Sequence, residues 1–335
     1  MAGRADLAHR LASLVGTEAL RITDAARGWP ARGQLRLADR VVEVDLFVGP
    51  IGSSQRNRDP VERRFQNPAQ NPGPGRPLVI TAGRTPLLVG VWDHDPILAV
   101  PRPVIVLADA YRRAGSTTRF SIFQNLTALI SAVDVGWLTH GSGSGEMLHY
   151  LHPALLPLAV ETRIDEVVIL DDIVQAVVLG SGLAEGDGKD LAALERVRRA
   201  SSSIVRDARF GRNVIAAYAG LCAMCGLDVG LVQGAHIYPA SAPNSPDETW
   251  NGLALCPTHH VAFDRHLVGV LPYDGSIHYH DKLLSQRALS PAVRSLIDGT
   301  YQSLAVPTRP GLRPRRDMFD LRYAHFHGEY DWLSV

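Results

Sequence analysis

Three cysteines and a histidine fall into two short pairs, Cys222-Ala-Met-Cys225 and Cys256-Pro-Thr-His259. Between the pairs stand an isolated histidine, His236, and an isolated asparagine, Asn251, and a second histidine, His260, directly follows the last pair. Two ligands separated by two residues fit on one tight turn, and two such turns can close on a single tetrahedral ion. The four side chains therefore read as a closed Cys3His set for structural Zn2+. Such an ion staples a segment too small to build its own core. The competing reading, three buried free thiols beside a surface histidine, needs both pairs to coincide by chance. A disulfide framework fits poorly, because the cysteine count is 3 and every one lies in this window.

The rest of the composition bounds the problem more loosely. A chain of 335 residues, 46% hydrophobic and 20% charged, has room for two cores. Lys plus Arg and Asp plus Glu both number 34, so any grip on nucleic acid must come from local basic patches. The start, Met1-Ala-Gly-Arg-Ala-Asp, has no apolar h-region, and the run Leu98 to Leu107 is broken by Pro and Arg. Neither a secretory leader nor a membrane span is expected, and the expected location is cytoplasmic.

Apolar residues at helical spacing predict a helix over Ala8 to Leu20, and alternation over Val41 to Val48 predicts a strand. Further strands are expected at Leu78–Ile80, Pro86–Val91 and Val104–Leu107. Gly49 to Pro60 and Gln66 to Pro77 read as long polar loops, a length that usually accompanies function. Gly180 to Gly188 reads as a linker, followed by a helix from Lys189 to about Arg206 and another near Pro291–Tyr301. The expected division is 1–165, 166–206 (linker and helix), 207–282 for the cysteine/histidine unit and 283–335 as an extension.

Taken in order, Arg212-Asn-Val, Cys222-x-x-Cys225, Ala235-His236-Ile, Asn251-Gly-Leu-x-Leu-Cys256-x-x-His259-His260 and Phe263-Asp264 resemble the HNH, or ββα-metal, nuclease family. The match covers about a quarter of the chain; the tail around Leu321-Arg-Tyr-Ala-His325 resembles the end of HNH restriction-type proteins less specifically. The resemblance implies an α+β chain, with a mixed α/β recognition domain of long polar loops before a ββα-metal nuclease domain with structural zinc. It implies His236 as general base, Asn251 as the middle residue that holds the hairpin, and His260 as a ligand of a catalytic Mg2+ or Mn2+. Asp264, one helical turn after His260, is either a second ligand or a surface carboxylate. Many HNH enzymes carry an acidic metal ligand immediately before the catalytic histidine, where this chain has Ala235.

For the substrate, double-stranded DNA is expected, with base modification left open and a homodimer expected because one HNH site cuts one strand. Candidate DNA contacts are Arg56, Arg58, Arg63, Arg64, Arg315 and Arg316, with Arg196, Arg198, Arg199 and Arg313 as further phosphate contacts. Trp92, Trp137 and the small-residue loops at 114–120 and 139–146 are candidates for stacking on and bonding a base. The alternatives are a non-catalytic zinc-containing DNA-binding protein and a nicking or homing-type HNH endonuclease.

Overall fold

The computed structural model describes residues 4–25, 29–53, 62–66, 78–95, 97–118, 120–183 and 191–333. It divides into two compact units, Met1–Val205 and Arg206–Val335. Among the described residues, no helix is long and apolar enough to cross a membrane.

The first unit runs α1 (Arg4–Val15), β1 (Leu20–Asp24), β2 (Ala31–Arg36), β3 (Val41–Ser53), β4 (Glu62–Gln66), β5 (Thr85–Trp92), β6 (Val104–Ala108) and β7 (Ser121–Asn125). It continues through α2 (Leu126–Val135), β8 (Trp137–Gly141), β9 (Met147–Leu151), α3 (Leu156–Ile164), α4 (Asp171–Ser181) and the start of α5 (Leu191–Ala217). Among the described residues, nine strands form one sheet in the order β1-β2-β3-β5-β6-β9-β8, with β4 pairing β3 and β7, and only β3 and β5 pair in parallel.

Period-two alternation builds a core on each face of this sheet. Val44, Leu46 and Val48 of β3, Leu87, Val89 and Val91 of β5, and Ile105 and Leu107 of β6 face one cluster with Leu11, Leu155 and Val174. Phe47, Ile51, Leu88, Trp92, Val104 and Val106 face the other, with Phe65, Leu129 and Tyr150. That is why β5 and β6 are apolar almost throughout.

Several expectations shift. The first helix ends at Val15, because Gly16 takes φ +104 and turns the chain into β1. Leu78–Ile80 is not a strand; Leu78 makes a single backbone pair with Ser116 and Gly115 and buries its side chain. The expected linker Gly180 to Gly188 lies mostly outside the described residues; Gly180 and Ser181 belong to α4, and Leu183 packs into the first core with Val174, Val178, Ala193, Val197 and Val205.

Buried charge is the other feature of this unit. Arg63 is 2% exposed, and its Nε and guanidinium tip donate to Asp95 at 2.5 and 3.2 Å, with Trp92 Nε1 on the same carboxylate at 3.2 Å. The expected role of Arg63 as a DNA contact is therefore corrected: its charge is spent inside. Asp45 is likewise buried against Arg84. Arg56 and Arg58 lie outside the described residues.

Removing Arg63 leaves an uncompensated buried carboxylate, a defect that typically costs about 3–5 kcal/mol. Arg63→Ala should lower the melting temperature of the first unit accordingly, and an unchanged melting curve contradicts the pairing. Burial raises the Asp95 pKa, but Arg63 and the amide of Ile97 outweigh it and hold it at about 2, below its ordinary 3.8. A depressed carboxylate stabilises the fold above its unfolded value, so this contribution should be intact above about pH 4 and lost as pH falls toward about 2.

Candidate active site and metal centre

The second unit is a β-hairpin closed by a helix. β10 (Gln233–His236) pairs antiparallel with β11 (Gly252–Leu255), and α6 (Pro257–Asp264) follows directly. A second hairpin, β12 (Val268–Val270) with β13 (Ile277–Tyr279), precedes α7 (Asp281–Gln286), α8 (Pro291–Asp298) and α9 (Arg316–His325). The expected break after residue 282 is absent. Met318 and Phe319 sit in the same core as Leu253, Leu255 and Phe263, and Tyr301 and Ala305 donate backbone bonds to Met224 and Ala223.

One ligand atom each from Cys222, Cys225, Cys256 and His259 lies within 4.8 Å of the other three. The Sγ of Cys225 and of Cys256 are 4.0 Å apart, and His259 Nδ1 is 3.7 Å from Cys222 and 3.2 Å from Cys256. A tetrahedral shell with Zn–S bonds of about 2.3 Å has sulfur–sulfur edges of roughly 3.8 Å. The donor set fits zinc in type, number and spacing. The ring is also set for ligation. Thr300 Oγ1 donates to Leu296 O at 2.7 Å and so accepts from His259 Nε2, 2.8 Å away, which leaves Nδ1 with its lone pair toward the thiols.

The thiols themselves call for a cation. Burial pushes the Cys225 thiol up to about 12 and raises Cys256 as well. At Cys222 burial acts the same way but is outweighed by His259 and backbone amides, which bring it down to about 6. One thiolate in the shell discourages the others until a dication is present.

His236 ends β10 opposite Gly252. Its ring stacks on Phe210 of α5, with centroids 3.6 Å apart and planes 12° from parallel. This is possible because α5 runs past Arg206, where it was expected to stop, and meets β10 backbone to backbone. A Cβ on Gly234 would lie 2.6 Å from Gly211 Cα. His236 Nε2 is 3.0 Å from Asp247 Oδ1, whose other oxygen is 2.9 Å from Arg206 Nε. Burial lowers the imidazole's pKa, against the pull of Asp247 and Asp207, so the ring is neutral near pH 7.

Asn251 is fully buried and makes no bond to His236. Its Oδ1 accepts from Tyr238 N at 2.8 Å, while Nδ2 donates to Tyr238 O at 3.1 Å and Pro246 O at 2.9 Å. It closes the loop that leaves β10 and so fixes the strand end from which His236 projects.

His260, next to His259 on α6, turns away from the thiols. Its Nδ1 is 2.8 Å from Gln233 Oε1, and its Nε2 is 3.3 Å from Asp264 Oδ2. The amide oxygen accepts the Nδ1 proton, leaving Nε2 free beside a carboxylate. An octahedral divalent ion with bonds of about 2.1 Å separates adjacent ligands by roughly 3 Å, so both atoms fit on one ion. Arg322 lies 3.9 Å from the other oxygen of Asp264. Ala235 is buried in the core and offers nothing. His236, His260, Asp264, Phe210, Asp207 and Arg322 line one cleft of about 460 Å3.

Residues 222–271 match the HNH endonuclease family. The chain carries an HNH endonuclease domain. No curated protein matches the chain in sequence. A solved structure described as "Modification dependent TagI restriction endonuclease" is 14% identical over 87% of this chain and 84% of that one, with a TM-score of 0.31.

The HNH domain thus brings together His236, His260 and Asp264 in one cleft and gathers the four sulfur and nitrogen ligands beside it. It also holds residues that the sequence reading missed: Phe210, Asp247, Gln233, Thr300 and Arg322. Arg322 is 2% exposed and donates to Ile237 O at 3.0 Å, Phe263 O at 2.7 Å and Tyr330 at 2.6 Å, tying α9 to both β10 and α6. Of the candidate DNA contacts in this unit, Arg315 lies over the Trp250 ring and pairs with Asp317. Arg316 is exposed near Asp320, and Arg313 donates to Pro307 O.

Two outcomes follow from these bonds. Cys222→Ser should lose bound zinc and lower the melting temperature of the HNH domain, measured by metal analysis and calorimetry. Asn251→Asp faces two carbonyls with an acceptor and should destabilise by about 1–3 kcal/mol. Denaturation midpoints would check that figure.

Proposed function

We propose that this protein is a restriction-type DNA endonuclease that hydrolyses phosphodiester bonds at the cleft between β10 and α6. The observation that carries this reading is the pairing of a ring-stacked His236 with the His260–Asp264 pair in one cleft, beside a separate Cys3His set. A protein needing zinc only for structure has no use for the second constellation.

In this reading His236 takes a proton from the attacking water, whose oxygen bonds to phosphorus as the bond to the leaving 3′ oxygen breaks. His260 and Asp264 would hold a divalent cation such as Mg2+ or Mn2+, which would supply positive charge to offset the negative charge developing on the scissile phosphate and leaving oxygen. Asn251 and Phe210 keep the strand end and the ring plane fixed, so that His236 need not reorganise during the reaction.

The first unit is proposed to recognise double-stranded DNA, with modified bases as a candidate feature of the site. A cleft of about 280 Å3 lined in part by Phe123 and His140 supports this, since both rings are exposed and can meet the face of a base. One catalytic cleft per chain cuts one strand, so duplex cleavage calls for two chains.

His236→Ala should lower the cleavage rate by about 10²–10⁴-fold while leaving zinc content and DNA binding in place. The assay is plasmid cleavage with Mg2+ or Mn2+ over unmodified, 5-methylcytosine, hydroxymethylated, N6-methyladenine and phosphorothioate DNAs. Wild-type cleavage by the variant would remove His236 from the mechanism.

A further inference from the structure

The reading of His236 as the base leaves unstated what decides which of its two ring nitrogens bears the proton. We propose that Asp247 is a positioning residue for cleavage, holding His236 as the Nε2–H tautomer so that Nδ1 carries the lone pair that receives the proton. This inference rests on the nuclease reading above and goes beyond it by assigning a role to a residue outside the HNH motif.

The geometry is specific. Asp247 comes from the stretch between β10 and β11, and its Oδ1 lies 3.0 Å from His236 Nε2. An ionised carboxylate can only accept, so the neutral ring must donate from Nε2. The carboxylate is held from its other side by Arg206 Nε, 2.9 Å from Oδ2, while Phe210 fixes the plane of the ring. Three contacts thus define the ring: a face, an edge and the anchor behind that edge.

The surroundings of His236 are mixed in charge. From α5 come Asp207 and Arg206, from the loop comes Asp247, and across the cleft stand His260 and Asp264 of α6 with Arg322 of α9. Asp207 acts on the ring through its charge, whereas Asp247 bonds the ring directly. Only a direct bond discriminates between the two tautomers. An imidazole whose lone pair sits on the wrong nitrogen is correctly placed but cannot accept the proton where it is needed.

A purely structural role for Asp247 is a weaker account. Asp247 and Arg206 retain 25% and 55% side-chain exposure, and partly exposed ion pairs add little to stability.

The test uses the full chain with its zinc. Asp247→Asn should reduce kcat by about 10–100-fold, with KM for DNA, zinc content and melting temperature close to wild type. Asp247→Glu, which restores a carboxylate, should recover part of the loss. Nitrogen NMR of the His236 ring should show Nε2 protonated and Nδ1 bare in the wild type, a preference weakened in Asp247→Asn. A cleavage rate within twofold of wild type together with an unchanged ring signature would overturn the proposal, as would an Nδ1–H tautomer in the wild-type protein. The NMR result stands whether or not any tested DNA is cut. Failure of the nuclease reading shows separately, in the absence of cleavage of every tested DNA by the wild-type protein.

Discussion

Three thiols and an imidazole drawn to within 4.8 Å of one another set the geometry on which the second unit depends. Thiolates sharing one shell repel one another, so a dication favours deprotonation of all three. Closing that shell ties the turn at Cys222–Cys225 to the start of α6, and α6 carries the next histidine. Successive residues on a helix point about 100° apart. Fixing His259 toward the thiols therefore swings His260 out to the cleft, where Gln233 and Asp264 receive it. The structural and reactive halves are thus separated by one residue step on one helix.

The same physical device recurs at three histidines. Thr300 accepts the N–H of His259, Gln233 accepts that of His260, and Asp247 accepts that of His236. In each case the partner decides which nitrogen is left with a lone pair. The histidines were legible in the sequence because Cys-x-x-Cys, Ala-His-Ile and Cys-x-x-His-His are fixed spacings. Their partners were not. Thr300 is 41 residues from His259 and Gln233 is 27 from His260, and no local pattern marks a residue whose relevance arises only on folding.

The fold shows a similar division. The strands predicted at Val41–Val48, Pro86–Val91 and Val104–Leu107 correspond to β3, β5 and β6, since a two-faced core demands apolar residues in runs that are hard to mistake. α5 continues past its expected end at Arg206, and its close approach to β10 depends on the glycine at 234, where a Cβ would lie 2.6 Å from Gly211 Cα. Arg63 was misjudged for a reason that pleat parity could have exposed. It stands two residues from Phe65, so both side chains leave the strand on one face, and a buried phenylalanine carries its neighbour inward. Arg64, on the opposite parity, is the one left toward the outside.

That parity bears on how the first unit could meet DNA. Counting arginines overstates the charge available to phosphate, because so much of it is already engaged. Arg63 neutralises Asp95, Arg84 bridges Asp45 and Glu43, Arg163 donates to the carbonyls of Leu107 and Ala108, and Arg196 donates to Ser181 O. Arg198 and Arg199 are exposed, yet both lean on Glu195. A duplex gripping that helix must first displace this carboxylate, which trims the net gain from each contact. Among the described residues, a phosphate contact proposed for Arg198 or Arg199 would therefore compete with Glu195.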